Sequence, residues 1–106
     1  MSVRCSSKAA LFAALGDETR LQLVSRLGAG PMSITKLTAG SKITRQAITK
    51  HLRVLEQARL VRATRQGRER HWQLDRRRLD DARRYLDLIS KRWDKALGRL
   101  RNFVEN

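Results

Sequence analysis

Apolar and polar positions from Thr44 onward follow the period of an α-helix. Ile48, Leu52 and Leu55 recur at spacings of four and three residues, which places them in one stripe along the helix. The opposite side carries amide, hydroxyl and cationic side chains, with no carboxylate before Glu56. The pattern therefore predicts a helix that packs by an apolar back and presents a polar, cationic front.

Shorter amphipathic segments precede this helix. Their spacing predicts helices over residues 7–15, 18–27 and 34–39. In the second of them, Leu21, Val24 and Leu27 recur at a spacing of three residues, with Leu23 beside them. Polar side chains stand at the expected N-cap positions of five helices: Ser7, Asp17, Ser33, Thr44 and Asp75.

The segment after the polar-fronted helix has the period of extended strands. Residues 60–65 predict one strand, and residues 69–74 predict the return strand. Between them, Gly67 permits the positive φ that a hairpin tip requires. Trp72 shares a strand face with Leu74, so we expect it in the core beneath this hairpin.

A long amphipathic helix is predicted from Arg76 to about Val104, roughly 40 Å at about 1.5 Å per residue. Its apolar stripe comprises Leu79, Ala82, Leu86, Ile89, Trp93, Ala96, Leu100 and Phe103, widened by Leu97. A small domain cannot cover so long a stripe. The stripe therefore predicts that the helix pairs with a second copy of the chain. The residues expected in this homodimer interface are Phe12, Leu86, Ile89, Trp93, Leu97 and Leu100. The alternative is a helix folded back over its own domain.

Length and charge narrow the possible partners. The chain has 106 residues, with 24 Lys and Arg against 10 Asp and Glu, giving a net charge of +14. This excess opposes a compact monomer and favours a polyanionic partner, although the alternative is that it only maintains solubility. Charge is densest over residues 41–75, which hold nine basic and three acidic side chains. We therefore expect the polar front of the helix after Thr44 to bind the major groove of double-stranded DNA.

Other functional classes find less support. No run approaches the roughly 20 apolar residues that span a bilayer, and no secretory signal pattern is evident, so we expect a cytoplasmic protein without a membrane partner. Cys5 is the only cysteine, which excludes a disulfide within the chain and leaves open a redox link between chains. No catalytic triad, phosphate-binding glycine loop or carboxylate pair is recognisable, so neither catalytic residues nor a cofactor is expected.

Three segments in order along the chain match a known pattern. The segment Ala14–Leu21 is ALGDETRL, the segment Thr44–Leu55 is TRQAITKHLRVL, and residues 60–74 form the predicted hairpin. Together they resemble the winged helix-turn-helix of the ArsR family of bacterial repressors. Arg59 departs from the pattern, because family members usually have glycine at this helix end, and the turn into the hairpin is therefore left open.

The resemblance implies a mainly α fold with a small β-hairpin: a winged helix-turn-helix with a long C-terminal dimerisation helix. It divides a single domain, residues 1–106, into a DNA-binding core at 7–75 with its wing at 60–74, and a dimerisation helix at 76–104. It also implies a transcriptional regulator, expected to be a repressor that binds a palindromic operator as a homodimer. It indicates no particular small-molecule effector, which stays unknown.

Many members of this family sense metals, but the corresponding residues here do not favour a metal site. The resemblance places Ser33 and Thr35 where metal-sensing members carry two cysteines, and hydroxyls do not replace thiolates as ligands for soft metals. The other family site uses histidine on the last helix, whereas residues 76–106 contain none. We therefore expect a metal-independent member.

The residues expected to contact DNA lie on the recognition helix and at the wing: Thr44, Arg45, Gln46, Thr49, Lys50, His51, Arg53, Arg68 and Arg70. Arginine suits guanine and glutamine suits adenine, whereas Arg53, a turn later, is expected at a phosphate. His51 has two interpretations, a contact with the DNA backbone or packing against a neighbouring side chain. The wing arginines either bind DNA or merely keep an edge strand soluble.

The rival hypothesis is a nonspecific basic protein that coats nucleic acid. Charge and size fit both hypotheses. Single-strand binders use aromatic side chains as stacking platforms, whereas aromatic residues make up 5% of this chain and none lies on the polar front of the predicted helix. The sequence therefore favours recognition of a duplex.

Overall fold

The helices and strands lie close to their predicted bounds. The computed structural model describes residues 7–105, so Cys5 lies outside the described residues. In chain order the elements are α1 Ser7–Leu15, α2 Glu18–Leu27, β1 Met32–Ser33, α3 Ile34–Thr38, α4 Arg45–Gln57, β2 Val61–Gln66, β3 Glu69–Leu74 and α5 Arg76–Glu105. The predicted fold class, a mainly α winged helix-turn-helix with a long C-terminal helix, is confirmed.

Side-chain oxygens cap four of the five helices at the predicted positions, whereas Ser7, the cap expected for α1, is the first residue of that helix. Each of the four accepts a hydrogen bond from a backbone N–H two or three residues further on, at 3.0–3.2 Å: Asp17, Ser33, Thr44 and Asp75. These bonds satisfy amide groups that have no partner within the first turn of a helix. Local chemistry therefore fixes where α2, α3, α4 and α5 begin.

The core lies where the first four helices meet the sheet. Its largest fully buried side chains are Leu11, Leu37, Ile48, Leu52, Leu55, Leu60 and Val61. Within α2, Leu23 and Leu27 are buried whereas Leu21 is 49% exposed. Each step of three residues rotates a position by about 60°, so Leu21 lies about 120° from Leu27 and off the packed face.

The sheet has three strands, one more than the predicted hairpin. β2 and β3 pair antiparallel with Val61 opposite Leu74, and β1 adds to the other edge of β3 with Met32 opposite Trp72. Trp72 is 2% exposed, which confirms its predicted place in the core. A strand of two residues carries no periodic signal, and its partner lies far along the chain. Only the tertiary structure therefore defines β1.

The turn from α4 into β2 contains Arg59 with a φ of 62°. The N–H of Arg59 donates to the carbonyl of Glu56, and the N–H of Leu60 donates to the carbonyl of Leu55, both at 2.9 Å. These two bonds form the Schellman motif, in which the residue with positive φ is usually glycine. The turn typical of glycine is therefore formed by an arginine.

α5 projects away from the rest of the chain. It has 30 residues, of which only Ala82 is buried. The molecule measures 68 × 34 × 20 Å, and its radius of gyration is 18.3 Å, against about 13 Å for a compact domain of about 100 residues. The alternative of a helix folded back over its own domain is therefore wrong. Within the described residues, no helix combines the length and apolarity needed to cross a membrane.

Candidate DNA-binding surface

α4 is held by its apolar side. Ile48, Leu52 and Leu55 are at most 2% exposed, where α4 packs against α1, α2, α3 and β2. The hydroxyl of Thr44 accepts a hydrogen bond from the N–H of Ala47 at 3.1 Å and so begins the helix. The buried stripe fixes the rotation of α4 about its axis, and that rotation determines which side chains point outward.

The outward side of α4 presents polar groups with no partner in the described chain. Arg45, Gln46, Lys50 and Arg53, which we call the recognition face, are exposed. Their side chains form no hydrogen bond or ion pair within residues 7–105. Thr49 lies half-buried beside them, and its hydroxyl donates to the carbonyl of Arg45 at 2.9 Å. Three cations of this face are therefore available to an anionic partner.

His51 is turned back toward α2. Its Nδ1 lies 3.4 Å from Nη1 of Arg20 and 3.8 Å from Oδ2 of Asp17. The backbone N–H of Arg20 holds the pKa of the Asp17 carboxyl below its ordinary range. Desolvation opposes this effect, whereas the charge of Arg20, and that of His51 when its imidazole is protonated, act in the same direction. Through Nδ1, His51 therefore contacts a neighbouring side chain, one of the two interpretations that the sequence leaves open.

Arg26 of α2 connects this helix to α3 through two hydrogen bonds. Nη1 of Arg26 donates to the carbonyl of Leu37 at 2.6 Å, and Nη2 donates to the carbonyl of Lys36 at 2.9 Å. Ser33 caps α3 with its hydroxyl, and Thr35 is exposed. Among residues 7–105, no three His, Cys, Asp or Glu side chains form a group that could hold a metal ion.

The tip of the wing carries a group of arginines. Gly67 turns the hairpin with a φ of 65°, and a positive φ at only the first of two turn residues is typical of a type II′ turn. Arg68 and Arg70 are exposed at and just after this tip, and the register places Arg65 directly opposite Arg70. The sequence prediction omits Arg65, although counting the register outward from Gly67 would find it.

Large apolar side chains lie exposed along α5. We call seven of these side chains the apolar face of α5, and each of them is between 44% and 81% exposed: Leu86, Ile89, Trp93, Leu97, Leu100, Phe103 and Val104. Phe12, the remaining residue of the predicted interface, is half-buried, and its ring centroid lies 5.7 Å from that of Tyr85. Contiguous exposed apolar surface of this kind marks a site of interaction.

Known proteins share both the sequence pattern and the fold. A helix-turn-helix domain family matches residues 15–64. The HTH-type transcriptional regulator Rv2034 of Mycobacterium tuberculosis is 39% identical over 84 residues, which cover 79% of this chain and 76% of that protein. A transcriptional repressor SmtB homolog of Synechocystis sp. is 36% identical over 66 residues, 62% of this chain and 50% of that protein.

A solved structure extends the likeness over nearly the whole chain. The ArsR-like transcriptional regulator from Rhodococcus sp. RHA1 has a TM-score of 0.84 and 32% sequence identity, and the match covers 96% of both chains. The matched region therefore includes the wing and most of α5 as well as the helix-turn-helix. The chain belongs to the ArsR family of helix-turn-helix transcriptional regulators.

Proposed function

We propose that this protein is a homodimeric transcriptional repressor that binds a palindromic operator in double-stranded DNA with sequence specificity. The observation that carries the proposal is the recognition face, set on a helix whose opposite side is buried. Arginine and glutamine can each make bidentate hydrogen bonds to a purine in the major groove. The name of the Synechocystis relative, a transcriptional repressor, supports repression.

In this proposal the contacts divide between bases and backbone. Arg45, Gln46, Thr49 and Lys50 lie near the start of α4 and read base edges, with Thr44 beside them. Arg53 lies a turn later and binds a phosphate. The exposed wing residues Arg68 and Arg70 bind flanking DNA, where their charge favours the backbone or the minor groove. As a bacterial repressor the protein acts on genomic DNA in the cytoplasm, and no metal takes part in this proposal.

The apolar face of α5 supports the homodimer. The apolar stripe from Leu79 to Phe103 advances by three and four residues alternately, which is the seam spacing of paired helices. Pairing through this seam brings two recognition helices together, and such dimers read half-sites about 34–36 Å apart on one side of the duplex. A two-fold symmetric protein then requires an approximately palindromic operator.

The DNA contacts are tested by selecting bound fragments from genomic DNA, followed by footprinting and competition at about 150 mM salt. Arg45→Ala and Gln46→Ala should each reduce discrimination between operator and random duplex by roughly 5- to 150-fold. The matched controls Arg101→Ala and Gln22→Ala remove the same groups from exposed positions elsewhere and should leave discrimination unchanged. Equal affinity of the wild type for both duplexes would favour the coating protein, and unchanged discrimination in the first two variants would contradict the recognition face.

The dimer is tested on α5 itself. Leu86→Lys places a charge in the apolar face and should convert a dimer into monomers in analytical ultracentrifugation, because an unpaired buried charge is costly. Leu88→Lys is the matched control, since Leu88 is 43% exposed on the same helix but lies off the stripe. Equal effects of the two substitutions, or a wild type that stays monomeric, would contradict the pairing through α5.

A further inference from the structure

The two helical segments that resemble the family meet through the side chains of Asp17, Arg20 and His51. Asp17 and Arg20 belong to the first segment and His51 to the second. Nη1 of Arg20 lies 3.4 Å from Nδ1 of His51, which is on the recognition helix but outside the recognition face.

The guanidinium of Arg20 is held in a fixed direction by α1. Its Nε donates to the carbonyl of Ala14 at 2.7 Å, and its Nη2 donates to the carbonyl of Ala13 at 3.3 Å. Both carbonyls belong to the last turn of α1, where a backbone carbonyl no longer has a helical N–H four residues further on as its partner. Because a guanidinium is planar and rigid, these two bonds also aim Nη1 at His51. Arg20 thereby joins α1, α2 and α4.

A hydrogen bond between Arg20 and a neutral His51 requires one tautomer of the imidazole. A guanidinium has donors only, so Nδ1 must act as the acceptor, and the proton of a neutral imidazole then lies on Nε2. The carboxylate of Asp17, 3.8 Å from Nδ1, is beyond hydrogen-bonding distance, so it does not accept a hydrogen bond from Nδ1. Nε2 is neither buried nor hydrogen-bonded within residues 7–105. His51 therefore offers one free N–H donor at the surface of α4.

We propose that His51 donates this Nε2–H to a DNA phosphate, and that Arg20 is the positioning residue that sets the tautomer. His51 lies on the flank of α4, between the buried stripe and the recognition face, and the flanks of a helix in the major groove face walls lined by phosphates. The contact adds affinity without sequence information. This inference rests on the proposed function, because it requires α4 to occupy the groove.

Two substitutions of His51 separate its two nitrogens. In His51→Gln the longer amide places an N–H near the position of Nε2, whereas in His51→Asn the amide reaches only as far as Nδ1. His51→Asn should weaken binding to operator and to random duplex by the same factor, roughly three- to tenfold. His51→Gln should retain most of the wild-type affinity. A loss confined to the operator, no loss in His51→Asn, or equal losses in both variants would overturn the proposal.

The salt dependence of binding identifies the charge state of the donor. A neutral N–H displaces no counterion, so His51→Asn should leave the slope of log affinity against log salt unchanged. Arg53→Ala is the comparison, because Arg53 is the residue proposed at a phosphate, and loss of such a cation lowers the magnitude of this slope by about 0.9 per contact. A slope that falls equally in both variants would contradict a neutral donor.

Arg20→Lys tests the positioning role. A lysine can donate to one carbonyl of α1 but has no fork that also reaches His51. We expect the same loss of affinity as in His51→Asn, and no further loss when the two substitutions are combined. Two-bond ¹H–¹⁵N correlation spectra at about pH 8.5, where imidazoles are generally neutral, should show the Nε2–H tautomer in the wild type and a mixture in Arg20→Lys.

Arg26→Lys is the matched control for this variant. Arg26 also donates two hydrogen bonds to carbonyls of a neighbouring helix, at 2.6 and 2.9 Å, but does not touch His51. Its substitution should lower stability comparably and leave the tautomer unchanged. An Nδ1–H tautomer in the wild type, or the same spectrum in both lysine variants, would overturn the role of Arg20. A wild type that binds no duplex would instead contradict the proposed function itself.

Discussion

Arg59→Gly should raise the free energy of unfolding, although it removes a whole side chain. With a φ of 62°, Arg59 occupies the left-handed region, which costs a residue with a Cβ about 1–2 kcal/mol. Its side chain is exposed and forms no hydrogen bond or ion pair within residues 7–105, so little is lost with it. The freedom of glycine in the unfolded chain opposes the gain by about 0.4–1 kcal/mol. The net stabilisation should therefore be about 0.5–1 kcal/mol.

Arg59→Ala is the control that isolates the backbone effect. It removes the same charge and side chain but keeps the Cβ, so it keeps the strain and should change stability by less than about 0.5 kcal/mol. The free energies come from urea unfolding followed by far-UV circular dichroism, with all proteins at one concentration because dimerisation would make stability concentration-dependent. The glycine variant should also melt about 2–6 °C above the wild type.

The comparison between the two variants decides the outcome. A glycine variant no more stable than the alanine variant would refute the reasoning, because both lack the arginine side chain and differ only at the Cβ. The slope of free energy against urea should be unchanged, since the surface exposed on unfolding is nearly the same. Operator binding should also be unchanged, because Arg59 lies outside the recognition face.

Further predictions concern the cap of α2, the core and the surface of α5. Asp17→Asn keeps a capping oxygen but removes a charge. Because the pKa of Asp17 is lowered in the folded state, the stability that its carboxylate gives the wild type is fully present above the unfolded-state pKa and is lost as pH falls through the folded-state pKa. The difference in free energy of unfolding from the wild type should therefore narrow from about pH 5 toward about pH 2. Leu52→Ala, at a side chain with 0% exposure, should cost about 2–5 kcal/mol in urea unfolding, and a cost below about 1 kcal/mol would contradict its place in the core. Trp72→Phe leaves Trp93, which is 63% exposed, as the sole tryptophan. The fluorescence emission of Trp93 should shift to the blue as protein concentration rises, because pairing through α5 covers its ring. An emission spectrum independent of concentration would contradict that pairing.

The elements themselves could be predicted because their signals are local. The stripe through Ile48, Leu52 and Leu55, and the caps at Thr44 and Asp75, depend on contacts within a few residues of the chain. Helical rotation then decides which side chains face away from the stripe. The exposure of the recognition face therefore follows from the sequence, whereas its contacts with DNA stay predictions.

Contacts between distant segments were hidden from the sequence. The strand β1 and the exposure of Leu21 depend on how whole elements pack. The hydrogen bond between Arg20 and His51 joins residues of α2 and α4. Periodicity reports the side of one element that is buried but not which residue of another element meets it.

The sequence by itself determined the order of the helices and of the two hairpin strands, four of the helix starts and the polar front of α4, since propensity, capping and helical period act over one or two turns. The tertiary structure alone decided that Nδ1 of His51 faces Arg20, that the turn at Arg59 has the geometry of a glycine, and that the apolar side of α5 stays uncovered. Each of these depends on the distance and angle between packed elements, and the free energy of such long-range contacts is set by the whole core rather than by any one segment.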